Sequence, residues 1–467
     1  MINDRRTFLL NGAAAVGALT LGDFRRARGN DGPCAAPPFC ITLRAGGGWD
    51  PTLFCDPKPG DDRFSIFDAD DLLTVGDFTY APYEVDGGVP VPYAYGGQDF
   101  FQKHFSRMVV LNGIDHLTVA HDVGHRSAMS GTTREGLPSV SGLVAGIAGR
   151  GLAMPFLVRG GYASAAGMVP LTRMAGGRTL QQILQPEMMG RRADDPAHEP
   201  EILELVRAAR FERDRRQSFA LPRAERTRLG FLASRGAESE AQIARFRETL
   251  TDEMIDTDND AVTAASGIAA AMKAGICVAG HVTFSGVGSQ FDSHSGSHNS
   301  LSPQDGHRPA VWQLLEAADY LADTFENDPV LAERGLVLLV GSEFGRTVYN
   351  DARGKDHWNI GSFLVLVSGA ARERFELGRV VGLTSTVGPR GQADVKGAHS
   401  LKAKLVSGAL EYTDDEDDPD AVRLNVGHVH VALRHAMGLC DDGLLDQPLT
   451  RYAVPDVQPT PLPLFRS

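Results

Sequence analysis

Six short apolar runs, each closed by glycine or a polar turn, limit the folds open to this chain. They are FCITLRAGG (39–47), RMVVLNG (107–113), PFLVRGG (155–161), ICVAGHVTF (276–284), GLVLLVGSEFG (335–345) and GSFLVLVSG (361–369). Their apolar residues are consecutive rather than alternate, which predicts strands buried on both faces. Between the fourth and fifth runs, AVWQLLEAADYLADTFENDPVLAER (310–334) carries apolar residues at helical spacing, so strand, helix and strand alternate. The expected fold class is α/β, with a mostly parallel central sheet flanked by helices. Residues 196–275 are instead rich in Glu, Arg, Ala and Leu with a 3.6-residue period, as in EILELVRAARFERDRR, and are expected to form a helical insertion packed on the sheet.

The N-terminus reads as a targeting segment over residues 1–30. NDRRTFLL (3–10) places Arg5 and Arg6 just before Phe8 and Leu9, and the apolar stretch AAAVGALTL follows. That stretch is well short of the roughly 20 residues needed to span a bilayer, so no stable membrane anchor is expected. Positive charge directly after it, at Arg25, Arg26 and Arg28, suits the twin-arginine export machinery, with delivery to the periplasm or beyond. Removing those 30 residues leaves a chain about three units more acidic than the net −13 of the whole, which excludes a nucleic-acid footprint. Cys34, Cys40 and Cys55 fall close together; an oxidising compartment would allow one disulfide there, and buried apolar cysteines are the alternative. The acidic run DDEDDPD (414–420) lacks the glycine and spacing of an EF-hand and is expected to be a solvated loop. The Pro-rich tail, 454–465, is expected to be extended along the surface.

The chemistry-bearing residues gather just past the predicted strand ends, where open α/β sheets place their ligands. GGGWDP (46–51) presents Asp50. LNGIDHLTVAHDVGHRSAMSG (111–131) holds His116, His121, Asp122 and His125. TFSGVGSQFDSHSGSH (283–298) offers Asp292, His294 and His298 in a Gly/Ser-rich loop. GSEFGRT (341–347) and GKDHWN (354–359) place Glu343, Arg346, Asp356 and His357 around one connection. Imidazole with carboxylate is a ligand set for zinc, manganese or iron, and a nearby Arg suits an oxyanion. Singly, each such residue reads as a surface histidine or a helix cap; together, five strand-end clusters of one ligand chemistry point to a metal or anion site.

GGxD after the first strand, a His-centred segment ending in SG, FDSH, SEFGRT and GKDHWN, in this order behind a twin-arginine signal, resemble secreted bacterial proteins carrying the domain of unknown function numbered 1501. The resemblance spans nearly the whole of residues 31–467. It implies a single domain of the alkaline-phosphatase-like superfamily, beside sulfatases and phosphatases, whose members bind one or two metals at strand ends. By that resemblance Asp50 looks like the first metal aspartate, Glu343 stands in the segment of a metal aspartate with Phe344 replacing a ligand, and His357 is similar to the later metal histidine. Asp292 and His294 look like the aspartate–histidine pair of the other metal. His121 stands where a Cys, Ser or Thr nucleophile is expected, leaving Ser127 and Ser130 as candidate nucleophiles.

The expected function is a metal-dependent hydrolase of phosphate or sulfate esters, on a small-molecule or polysaccharide substrate. Asp50, His121, Asp292, His294, Glu343 and His357 would hold one or two divalent ions (Zn, Mn, Mg or Ca), with water attacking and Arg346 or His125 stabilising developing charge. The alternative is a catalytically degenerate relative that binds a surface polysaccharide or a protein partner. A redox role for the cysteines is disfavoured by the absence of a CxxC spacing.

Overall fold

The computed structural model describes residues 36–174, 238–250, 257–286, 290–393, 395–439 and 462–465, with scattered helical positions between 201 and 216. Residues 1–30, expected to be a targeting segment, lie outside the described residues, as do Cys34, Cys440 and much of the region 196–256.

All six apolar runs form strands of one eight-stranded sheet: β1 (Phe39–Ala45), β2 (Met108–Asp115), β3 (Phe156–Arg159), β5 (Ala279–Phe284), β6 (Leu336–Ser342) and β9 (Ile360–Ser368). Two short edge strands, β4 (Leu171–Arg173) and β10 (Arg379–Val381), complete the order β4-β3-β5-β1-β6-β9-β2-β10. β1, β6 and β9 are buried at every residue, which is why they read as continuous apolar runs. Seven strands run in one direction and β9 runs against them, pairing antiparallel with both β6 and β2. The reversal follows from the connection. Between β6 and β9 the chain makes only a hairpin, β7 (Gly345–Tyr349) with β8 (Lys355–Trp358), and no crossover helix that could carry it back to a parallel start.

Helices cover both faces. α3 (Asp260–Lys273) and α4 (His307–Asn327) pack over Ile41, Leu43, Leu338 and Val340, and α3 is alanine-rich where it meets the sheet, so the two layers approach closely. α1 (His121–Ser130), α2 (Val140–Ala148) and α6 (Val426–Ala436) cover Cys40, Val337, Leu339 and Val365 on the other face. The helix expected over 310–334 is divided: α4 ends at Asn327 and α5 (Pro329–Arg334) restarts behind Asp328, which caps α5 while Pro329 takes its first position. α3, expected within an insertion, belongs to the main fold, because it covers the sheet and feeds β5. Residues 238–249 are helical and bury Phe246 in the same core.

Cys40, Cys55 and Cys277 are free, buried thiols, so the apolar reading holds for these three; burial pushes Cys40 and Cys277 up to about 12. The described end of the tail departs from the surface placement expected of it: Leu464 and Phe465 are buried, with Phe465 packed edge-on against Phe375. Among the described residues, no helix is long and apolar enough to cross a membrane.

Candidate metal centre

β1, β2, β5 and β6 point the same way, so the segments that follow them meet at one edge of the sheet. β1 delivers the turn Gly46–Gly48. Gly47 and Gly48 have φ of +130° and +87°, and a Cβ on either would strike the Asp292 backbone or the Phe344 ring, so only glycine lets the strands close this tightly. β2 leads into α1, where His121 and His125, one helical turn apart, share a face. Gly124 between them lets α1 rest directly on the backbone of Glu343.

Glu343, the residue after β6, is the first node. Its side chain is fully buried; Arg44 Nη1 donates to Oε2 at 2.7 Å, and Oε1 receives the Gly47 N–H at 2.6 Å, His121 Nδ1 at 2.9 Å and His125 Nε2 at 3.1 Å. Burial alone would raise this carboxyl, but the hydrogen bonds from His121 and His125 and the charge of Arg44 hold it well below the usual range. The bond to Glu343 in turn raises His121. Arg44 is oriented from behind. Its Nε and Nη2 donate to Thr283 Oγ1 at 3.2 and 3.1 Å, and that hydroxyl meets His281 Nε2 at 2.9 Å.

Asp292 is the second node. Its Oδ1 lies 2.9 Å from His294 Nε2, 3.1 Å from His357 Nε2 and 3.0 Å from Arg346 Nη2, and the two imidazole Nε2 atoms are 3.0 Å apart. The opposite ring nitrogens decide what these contacts are. His357 Nδ1 faces the Val119 carbonyl at 3.0 Å, which can only accept, so the proton sits on Nδ1 and the lone pair on Nε2. His294 Nδ1 faces Asp356 Oδ1 at 2.8 Å in the same sense. With Nδ1 the protonated nitrogen of both rings, the His294 and His357 Nε2 lone pairs would converge with the Asp292 carboxylate oxygen, the arrangement that a bound cation satisfies. Burial lowers His357, which favours its neutral form.

Two groups of side chains therefore have the spacing to hold an ion: His121, Asp292 and His357, and His121, His125 and Glu343. Five of the six residues expected as ligands, His121, Asp292, His294, Glu343 and His357, come together here. The rings of His121 and His357 pack at 4.5 Å, and Phe344, in what the resemblance makes a ligand slot, is a buried wall 4.3 Å from His357 and 5.1 Å from His121.

Asp50 is the exception. Its Oδ2 is held by Lys355 Nζ at 2.7 Å and His298 Nε2 at 2.9 Å, and its Oδ1 takes the Thr52 N–H and hydroxyl at 3.1 and 2.8 Å, all without solvent contact. The network continues: Ser293 Oγ bridges His298 Nδ1 at 2.7 Å and His307 Nδ1 at 3.0 Å, and His307 Nε2 accepts the Asp50 backbone N–H. Every Asp50 contact is thus a donor within the protein, and it serves as a structural anion rather than a ligand. Arg346 is likewise committed. Its guanidinium donates to the carbonyls of Gly47, Gly48, Phe291 and Lys355 and to Asp292, and its side chain is buried, so it clamps three loops instead of facing a developing oxyanion. Ser127 and Ser130 bond back to the helix carbonyls of Gly124 and Arg126 and are buried, which removes both as nucleophiles. His116 is buried against the Phe363 ring and belongs to neither ligand group, and Asp122 is exposed in the first turn of α1. In the 414–420 loop, Lys404 pairs with Asp418, Arg423 with Glu416, and Lys402 donates to the Glu416 and Asp418 carbonyls, while most of its acidic side chains are exposed.

Arg44, His281, Lys355, Ser293 and His307 were not singled out from the sequence, although a signal existed. Arg44 and His281 interrupt apolar strands in which every neighbour is buried, and a charged or imidazole side chain in such a run needs a partner. No known family model and no curated protein matches this chain.

Proposed function

We propose that the chain is a metal-dependent hydrolase of phosphate or sulfate esters, exported by the twin-arginine pathway to the periplasm or outside the cell, with a fold of the alkaline-phosphatase-like kind. One observation carries the reading: the Nε2 atoms of His294 and His357 and the Asp292 carboxylate converge, while the Nδ1 atoms of the two rings face Asp356 and the Val119 carbonyl. A divalent ion held there supplies a Lewis acid for the ester oxygen and lowers the pKa of its water toward neutrality. Arg346 already counters Asp292 and Arg44 counters Glu343, so the ion's charge would remain available to an anionic substrate. His121, its Nδ1–H on Glu343, turns Nε2 toward this centre, 3.5 Å from Asp292 Oδ2. His125, also resting on Glu343 and partly exposed, is the group placed to meet developing negative charge.

The test is hydrolysis of aryl phosphates and aryl sulfates by the purified chain with zinc, manganese, magnesium or calcium. Metal-dependent turnover that His357→Ala abolishes is the expected result; a folded sample inert with every ion refutes catalysis. The second reading, a non-catalytic relative that binds a surface polysaccharide or a protein partner, draws on the burial of Ser127 and Ser130 and the commitment of Arg346. Ion binding without turnover on any ester would select it.

A further inference from the structure

The segment that joins β2 to α1 carries two large apolar side chains into solvent. Leu117 is 49% exposed and Val119 47%, and Ala120 is exposed next to them. Leu117 also lies in the left-handed region, at φ +64°, which a bulky L-residue seldom adopts because its Cβ crowds the following carbonyl oxygen. Strain of this kind persists only where the surroundings impose it, and it collects at ligand clamps. Here the surroundings are explicit. The Leu117 N–H donates to Asp115 Oδ1 at 2.7 Å, Asn359 Nδ2 donates to the same oxygen at 2.8 Å, and the His116 N–H donates to the Asn359 carbonyl at 2.8 Å.

The same segment touches the candidate centre. His357 Nδ1 lies 3.0 Å from the Val119 carbonyl, and two residues further on the His121 ring packs 4.5 Å from that of His357. Leu117 and Val119 thus belong to a stretch that is fixed to β8 at one of the candidate ligand rings. Elsewhere the margin of the centre is polar: the side chains of Asp356 and His294 are 59% and 43% exposed, and Asp122 is exposed in the first turn of α1. The margin is therefore divided, with imidazoles and carboxylates on one part and a short apolar lip on another. Two side chains make too small a patch to hold a bilayer or a protein surface, and match the size of one short alkyl or aryl group.

We propose that Leu117 and Val119 form an apolar lip that selects esters whose alcohol portion is an alkyl or aryl group, the charged head of the ester lying at the Asp292–His357 centre. This rests on the hydrolase reading and names the substrate class of that site. Standing in water, the two side chains gain free energy when an apolar group covers them, and the pinned backbone holds them ready, so little ordering opposes binding. Contact on one side only is worth about half of a full methylene transfer, which is roughly twofold tighter binding for each added CH2.

The experiment loads the full chain in turn with zinc, manganese, magnesium and calcium and titrates it calorimetrically with methyl-, propyl- and pentylphosphonate, which bind without being hydrolysed. In the parent chain, affinity is expected to rise about fourfold at each two-carbon step. Leu117→Asn, whose side chain tolerates the left-handed backbone, is expected to lose that slope, and Leu117→Met to keep it. Denaturant unfolding of Leu117→Asn should be no weaker than that of the parent; a destabilised variant makes Leu117 a packing residue and overturns the lip. Equal affinity for the three phosphonates, or a slope unchanged in Leu117→Asn, overturns the lip and leaves the hydrolase reading standing. Flotation with phospholipid vesicles that Leu117→Asn abolishes overturns it in favour of a membrane contact. A folded chain that binds none of the three phosphonates with any of the four ions overturns the lip and the hydrolase reading together.

Discussion

Two clusters of the same residue types lie at one edge of this sheet and are wired in opposite senses. Around Asp50, each acceptor meets a donor: Lys355 and His298 on the carboxylate, Ser293 between His298 and His307, and a backbone N–H on His307. Around Asp292, Arg346 is the one committed donor, the two Nε2 atoms face the carboxylate and each other, and the Nδ1 atoms are turned onto Asp356 and Val119. The Asp50 cluster is sealed, whereas the Asp292 side chain is about a third exposed. Histidine and aspartate in a strand-end loop therefore say nothing on their own about metal binding. The direction of the hydrogen bonds does, because a closed donor–acceptor chain has no lone pair left for a cation.

The sharpest way to break the comparison is Lys355→Met. It leaves the Asp50 carboxylate buried without its cation and should cost about 3–5 kcal/mol of stability, read from denaturant unfolding of the metal-free protein. A cost below about 1 kcal/mol would mean that the Asp50 cluster is not the sealed ion pair described here. On the other side, Asp356→Ala removes the acceptor that orients His294. Ion affinity should fall about 10–100-fold by titration while unfolding of the metal-free chain is nearly unchanged. If affinity does not move, the outward-facing ring proton is not what sets the His294 lone pair.

Acid should act on the sealed cluster. Burial holds His298 and His307 below the ordinary histidine value, so once the pH drops beneath about 6.5 the unfolded chain takes up protons that these folded rings refuse. Stability should decline as pH falls, by up to about 1.4 kcal/mol per pH unit for each imidazole. A His307→Gln variant with the same slope as the parent would show that this ring does not contribute. The smallest effect is expected for His294→Ala in the metal-free protein, within about 0.5 kcal/mol of the parent, since its exposed ring packs little. A larger loss would place His294 among the structural residues.

Much of this is legible in the sequence itself. Consecutive apolar residues at 39–45 and 360–368 can be satisfied only by a strand covered on both sides, and the strand-end position of His121, Asp292, Glu343 and His357 was visible in the glycines and polar turns that follow each run. The edge strands β4 and β10, three residues each, are too short to carry a period. The break at Asp328 was written in the Asp-Pro pair but masked by apolar spacing that continues across it.

Residue order alone determined that the chain alternates strands and helices, and that imidazoles and carboxylates collect where the strands end, because both are consequences of local periodicity and turn chemistry. Tertiary structure decided which of those groups share an ion. Asp50 and Asp292 both follow a strand through glycine, yet one meets Lys355 and the other meets the imidazoles of His294 and His357. That difference is set by side chains up to about three hundred positions away, brought within 3 Å only when the sheet closes.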